Sequence, residues 1–240
     1  MFIVLEGVDG SGKSTQIEKL RGMFAERGVE SEYVHFPRFD APFFGELIAR
    51  FLRGELGGIN EVDPYIVALL YAGDRRDAAA MIRRWLDTGK VVIADRYVYS
   101  NIGYQCAKVA DAVSYTHLRA HETKRAALRH WIFELEYEYF KIPQPDLSIF
   151  LDVPFAFTER KLAEAREGAD REYLHGAKDI HESSLAFQKS VRDVYLDAVH
   201  HDRDLHVVDC STADDAMASP EEVFARICNL VNRYVDRVER

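Results

Sequence analysis

The sequence predicts an α/β fold in three layers, a doubly wound parallel sheet with helices on both faces. Three observations predict it. Five short apolar runs recur along the 240 residues. Longer amphipathic stretches separate them, and a glycine-rich loop joins the first run to the first such stretch. Continuous runs rich in Val and Ile read as strands buried on both faces. Alternation of strand and helix calls for parallel pairing with right-handed crossovers. No linker-like Pro/Gly/Ser stretch and no internal repeat divides the chain, so one domain over residues 1–240 is expected.

The first strand is Phe2–Leu5, and Glu6 cuts its apolar run too short for a signal peptide or a membrane span. Gly7-Val8-Asp9-Gly10-Ser11-Gly12-Lys13-Ser14 follows and meets the Walker A pattern at every fixed position, with Thr15 next. Helical periodicity then covers Thr15–Arg27, and Tyr33–Phe36 is the second strand. A second helical stretch, Val62–Thr88, precedes the third strand, Val91–Ala94, which ends at Asp95-Arg96. Arg125–Phe140 is helical, and Leu147–Leu151 and Leu205–Val208 are the fourth and fifth strands. The last helix, Pro220–Val238, has the clearest start. Ser219 supplies a capping hydroxyl, Pro220 stands at the first helical position, and Glu222 places a carboxylate at the third.

The composition is 48% hydrophobic and 30% charged, with a net charge of −9. That balance argues against nucleic-acid binding, which needs a sustained basic field, but a few focused cations still suffice for a small phosphorylated molecule. Cys106, Cys210 and Cys228 fit neither a CxxC motif nor a disulfide framework and read as apolar packing. The expectation is a cytoplasmic protein with no membrane partner.

The loop carries the strongest chemical signal. Glycines let consecutive backbone N–H groups turn toward one point, a nest for phosphate oxygens at a helix N-terminus. Gly7, Asp9, Gly10, Ser11, Gly12, Lys13, Ser14 and Thr15 are therefore the candidate ATP phosphate site. Lys13 puts a cation on the transferring phosphates and the Ser14 hydroxyl can ligate Mg²⁺. The alternative, a glycine-rich turn before a helix, does not explain why every fixed position is filled. An Asn-Lys-x-Asp guanine-reading motif does not occur.

Glu6-Gly7-Val8-Asp9-Gly10-Ser11-Gly12-Lys13-Ser14-Thr15 resembles the P-loop of thymidylate kinases. Phe36-Pro37-Arg38, Tyr71-Ala72-Gly73-Asp74-Arg75, and Asp95-Arg96-Tyr97 with Ser100-Asn101 and Tyr104-Gln105 follow in that family's order. So does Lys178-Asp179-Ile180-His181-Glu182, and the resemblance runs from Met1 to about Val231. It implies a fold of the P-loop kinase type with a mobile lid. It also implies transfer of the ATP γ-phosphoryl group to thymidine 5′-monophosphate with Mg²⁺, and a homodimer. Another pyrimidine monophosphate kinase, or a P-loop module that binds nucleotide without catalysis, is the alternative.

Physical chemistry assigns the acceptor side within that resemblance. Asp95, at the end of a buried strand, is placed to hold Mg²⁺ through water or to stay near Lys13. Arg96 beside it has the bidentate fork that clamps a phosphate; a structural Asp–Arg pair is the alternative. Asp9 sits where a carboxylate repels phosphates; by resemblance it accepts the sugar 3′-hydroxyl and helps set the metal shell, and otherwise it caps the loop. Tyr71 and Arg75 lie four apart on one helix face, so a ring can stack on a pyrimidine while the guanidinium meets a base carbonyl. Core packing for Tyr71 with a surface ion pair for Arg75 is the alternative. By resemblance Ser100 belongs to the substrate site, Asn101 reads a base edge and Tyr104 blocks the sugar 2′-position. Phe36 is either an apolar wall under the base or core, and Arg38 either reaches the acceptor phosphate or is solvated.

Between Arg160 and Glu182 the chain is highly charged and reads as a lid over the donor, roughly 160–182, that excludes water; a solvated charged helix is the alternative for any one of its arginines. The loop has Gly10 where some family members carry arginine, so the catalytic arginine is expected from the lid, Arg171 first and Arg166 second. By resemblance Glu182 helps place the acceptor or its metal, while His181 lacks zinc-site spacing with the other histidines and is expected at the surface. Residues 114–123, Ser114-Tyr115-Thr116-His117-Leu118-Arg119-Ala120-His121-Glu122-Thr123, have no apolar period and enlarge a connection that is short in the family. As a string they also look like translated sequencing-library adapter DNA. An assembly error and a natural surface insertion are both open readings, and resequencing the gene across this junction separates them.

Overall fold

Phe2–Glu6 (β1) is the middle strand of a five-stranded, all-parallel sheet, and every one of its residues is buried. The computed structural model describes residues 1–110, 118–163, 169–176, 179–181 and 184–238, and of these it describes the backbone alone at 110, 118–123, 162–163, 169–171 and 236–238. Strand order is β2 (Ser31–His35), β3 (Val91–Asp95), β1, β4 (Leu147–Asp152), β5 (Leu205–Asp209). The chain leaves β1 for the far edge, returns to β3, and then crosses to the other side of β1. Leu5 pairs with Asp95 and His35 also pairs with Asp95, so the C-terminal ends of three strands lie side by side. A doubly wound sheet opens its ligand crevice at that edge, where the winding reverses.

All five apolar runs form strands, with one correction. The runs read as buried on both faces, yet β2 and β5 are half-exposed along their length. They are the sheet's edges, and an edge strand lacks a neighbour on one side. Strand β2 also starts two residues before its apolar run, leaving Phe36 just beyond its end, with its N–H bonded to the Asp95 carbonyl.

Eight α-helices cover the sheet among the described residues: α1 (Lys13–Glu26), α2 (Phe44–Leu52), α3 (Pro64–Asp87), α4 (Val98–Ala110), α5 (Leu118–Phe133), α6 (Phe155–Ala163), α7 (Leu185–His201) and α8 (Pro220–Val238). The helix expected over Arg125–Phe140 is not one regular helix: α5 ends at Phe133 and the chain continues as a π-helical turn, Glu134–Tyr139. One extra residue per turn rotates Glu136 into the core, where it is fully buried. The main core lines both faces of the sheet, and a satellite cluster of Ile48, Phe51, Leu52 and Val67 joins α2 to α3. Helix α8 starts as its sequence predicts: Ser219 N–H donates to Glu222 Oε2 at 2.9 Å and Glu222 N–H donates to Ser219 Oγ at 3.2 Å. The three cysteines are free.

Candidate active site

The glycine loop between β1 and α1 builds the first half of the site. A side chain at Gly7 would bring its Cβ within 2.5 Å of Ser11 Oγ, so only glycine lets the loop fold back this tightly. Gly12 precedes α1 with φ 84° and no side chain caps the helix, which leaves its first N–H groups for an anion. The buried Lys13 Nζ rests on the Gly7 and Val8 carbonyls at 3.3 and 3.2 Å. Burial and the Arg96 cation pull the Lys13 ammonium down to about 8, against the opposing pull of Asp95, Asp9 and Glu6. Ser14 and Thr15 are exposed in the first turn.

The end of β3 builds the second half. Arg96 has φ 68°, a left-handed conformation that a non-glycine residue keeps only when its surroundings hold it. Three partners hold it: its guanidinium donates to the Gly7 carbonyl at 2.8 Å, to Ser100 Oγ at 3.3 Å and to Asp9 Oδ1 at 2.5 Å. Burial alone would raise the Asp9 carboxyl, but the Arg96 and Lys13 cations, with hydrogen bonds from Tyr104 and Gln188, hold it well below the usual carboxylate range. Ser100 itself turns inward and donates to Glu6 Oε2 at 2.5 Å. Glu6 also accepts the N–H groups of Tyr97 and Ser100 at 2.8 and 3.2 Å, capping the start of α4 from β1. Desolvation of this fully buried carboxyl raises its pKa, opposed by those hydrogen bonds and by Arg96.

A third group gathers around Glu136 of the π-helical turn. Tyr71 and Arg75 do share a face of α3, but Arg75 is fully buried rather than in a surface pair. Its Nε and Nη2 donate to Glu136 Oε2 and Oε1 at 2.5 and 2.7 Å. Asn101 Nδ2 donates to Glu136 Oε1 at 3.0 Å and to the Ala68 carbonyl at 3.1 Å. Those two bonds fix the amide's orientation, and Asn101 Oδ1 is left buried with no partner. Phe36 is buried against Tyr97 with ring centroids 5.6 Å apart. Arg38 is tied to α3, donating to Asp74 Oδ1 at 2.9 Å and to Asp77 Oδ2 at 2.6 Å, so its guanidinium is engaged on that helix.

One cleft of about 1740 Å³ joins all three groups, with Lys13, Asp95, Arg96, Tyr71, Arg75 and Tyr104 on its walls. Asp95 Oδ1 is buried without a partner at its floor, an acceptor set for a cation or its water. Among the described residues no three His, Cys, Asp or Glu side chains gather as a metal cage. The residues present therefore suit Mg²⁺ in its usual mode, held by phosphates and water with one or two protein oxygens such as Ser14 and Asp95.

The segment expected to form a lid is described in part. Helix α6 contains Arg160 and Lys161, and a 3₁₀ turn at Ala169–Leu174 includes Arg171, whose side chain lies outside the described residues. Arg166, Lys178 and Glu182 also lie outside them, as do residues 114–117. Tyr173 stacks on Phe39 at 3.6 Å and Arg53 donates to its carbonyl at 2.6 Å, which seats this segment on the α2 side of the cleft. His181 is not at the surface: it is buried beside Tyr104, Phe51 and Phe187. Rings from α2, α4 and α7 thus surround the imidazole.

Sequence reasoning missed Glu136, Gln188 and the capping role of Glu6. Glu6 was legible in principle, as an acid closing a buried strand. Glu136 and Gln188 sit in ordinary helical patterns and give no local signal.

A sequence model described as thymidylate kinase matches residues 5–219. The thymidylate kinase of Mycobacterium tuberculosis is 32% identical over 198 residues, covering 82% of this chain and 85% of that protein. A probable thymidylate kinase of Thermococcus onnurineus is 32% identical over 236 residues, covering 96% and 97%. Among solved structures, thymidylate kinase from Candida albicans superposes with a TM-score of 0.69 at 23% identity, over 97% of this chain and 91% of that one, which is a likeness of fold.

Proposed function

The chain belongs to the thymidylate kinase family, and we propose that it transfers the γ-phosphoryl group of ATP to thymidine 5′-monophosphate, giving ADP and thymidine diphosphate. The observation that carries this reading is the single cleft in which the glycine loop and Lys13 face Arg96 and the Arg75–Asn101 base site. ATP phosphates lie on the loop and α1, and the acceptor phosphate lies on Arg96. An ionised acceptor oxygen attacks the γ-phosphorus as the bond to the ADP oxygen breaks, so no protein base is needed. Mg²⁺, when bound, neutralises the β- and γ-phosphate oxygens. Lys13 and Arg96 supply the remaining positive charge, and a lid arginine, Arg171 or Arg166, completes it.

The base site supports a thymine or uracil acceptor. Asn101 Oδ1, orphaned and fixed, wants a donor, which the N3–H of these bases supplies. Cytosine presents a lone pair at N3, so two acceptors would meet there. Phe36 and Tyr71 wall the base, and Tyr104 stands on the sugar side against ribose. A cytoplasmic location belongs to the same reading; among the described residues no helix is long and apolar enough to cross a membrane. A homodimer also belongs to it, with the exposed Tyr65, Ile66 and Leu69 of α3 as the candidate contact.

A coupled assay of ADP release over a panel of nucleoside monophosphates tests this. Turnover is expected to require added monophosphate and to favour thymidine monophosphate over the uridine and cytidine compounds. Lys13→Ala is expected to lower kcat by ~10²-fold or more with the fold intact. ADP release that ignores the added monophosphate would sink the assignment and leave only triphosphate binding.

A further inference from the structure

We propose that Gln188, a residue with no role in the reaction as described so far, positions Asp9 to receive the 3′-hydroxyl of the acceptor sugar. The inference rests on the acceptor reading above and deepens it. Gln188 lies in the first turns of α7 and is fully buried. Such a site usually favours an apolar side chain, since each buried polar atom needs a partner. Here two of the three bonds go to Asp9. Gln188 Nε2 donates to Asp9 Oδ2 at 2.9 Å and to the His181 carbonyl at 2.9 Å, while its Oε1 accepts the Asp9 N–H at 3.4 Å. One amide thus grips both the backbone and the carboxylate of the loop acid, and ties them to the chain just past the lid.

The arrangement decides which oxygen of Asp9 remains available. A carboxylate has about four lone-pair sites, two on each oxygen. On Oδ2 both are taken, by Gln188 and by the Tyr104 hydroxyl at 2.6 Å. On Oδ1 one is taken, by Arg96. The open site is therefore on Oδ1, beside the guanidinium that clamps the acceptor phosphate. Thymidine monophosphate with an ionised phosphate has two hydrogen-bond donors, N3–H and the 3′-hydroxyl. Asn101 Oδ1 takes the first, so the second meets Asp9. Without Gln188 the carboxylate loses one of the two bonds that lock Oδ2 and is free to rotate about its Cβ–Cγ bond, which blurs the aim of Oδ1.

The test compares thymidine 5′-monophosphate with its 3′-deoxy analogue as acceptors, in the full-length wild type, Gln188→Met and Gln188→Glu. Methionine keeps the length and removes the amide; glutamate keeps the shape and sets a second carboxylate against Asp9. Both variants are expected to raise the acceptor KM about tenfold for thymidine monophosphate while leaving the ATP KM unchanged. For the 3′-deoxy analogue kcat/KM is expected to change little, so the preference for the 3′-hydroxyl shrinks about tenfold. A merely structural role would weaken both acceptors alike and keep their ratio. An unchanged ratio in whichever variant folds overturns the inference, whatever happens to the individual constants. If instead the wild type phosphorylates no monophosphate, the proposed function falls, and that outcome is distinct from an active wild type with an unmoved ratio.

Discussion

Lys13 is the residue where charge state and function meet most directly. Burial beside Arg96 brings its ammonium down to about 8, so below that pH the free enzyme presents a cation to ATP and above it a neutral amine. Only the cation attracts phosphates. The pH dependence of kcat/KM reports the free enzyme, so kcat/KM for ATP is expected to fall as pH rises through about 8. Bound phosphates stabilise the charged form, so kcat at saturating ATP should hold to higher pH. A kcat/KM that stays flat from pH ~7 to ~9.5 would show that Lys13 is not the group that admits ATP. Asp9 fills a variable position of the motif and took its expected role from the family resemblance, but Lys13 and Ser14 were legible because a phosphate nest imposes fixed residue types at fixed spacing. The partner of Arg75 was not. Glu136 is 61 positions away, and an acid in an amphipathic helix reads as solvated. Only the fold reveals that Arg75 and Asn101 share one buried carboxylate and that this leaves the Asn101 amide oxygen buried without a partner. Gln188 is silent for the same reason: its meaning lies in Asp9, 179 positions away.

At the scale of elements, the legible parts were those whose signal is local. Central strands β1 and β3 are apolar at nearly every position because helices cover both faces, and their apolar runs mark them plainly. The edges β2 and β5 drifted from expectation because exposure on one side relaxes the pattern. The π-helical turn at Glu134–Tyr139 was illegible, since helical periodicity does not distinguish a bond to i−4 from one to i−5 over a single turn. Helix α8 is the opposite case, because capping is short-range. Ser219 Oγ accepts from Glu222 N–H at 3.2 Å, and Glu222 Oε2 accepts from Ser219 N–H at 2.9 Å. Removing the hydroxyl breaks one half of this pair and leaves an N–H of the first turn to water. Ser219→Ala is expected to cost about 1 kcal/mol, read as a lower denaturant midpoint at unchanged slope. An unchanged midpoint would mean that water replaces the hydroxyl without loss.

At the scale of the molecule, an acidic chain of net charge −9 keeps the buried Lys13 and Arg75 and the partly buried Arg96 on the walls of one cleft, a focused set of cations rather than a diffuse field. Helix α3 links that cleft to the outside. Its inner side carries Tyr71 and Arg75, while Tyr65, Ile66 and Leu69 near its start are 37%, 55% and 40% exposed. Apolar side chains clustered this way on a helix suit an isologous contact, in which the same patch meets its own copy across a two-fold axis. Pairing there would buttress α3 from behind and hold the base site steady. The expected particle has twice the 27.5 kDa mass of the chain. Ile66→Glu would set two like charges face to face at the axis, so the variant is expected to sediment as a monomer at concentrations where the wild type is dimeric. Its acceptor KM should rise by severalfold, because α3 loses its support, while ATP binding on the glycine loop stays as it was. A wild type that sediments at 27.5 kDa across the micromolar range would remove the dimer. A dimer untouched by Ile66→Glu would move the contact to another face and leave α3 to hold the base site alone.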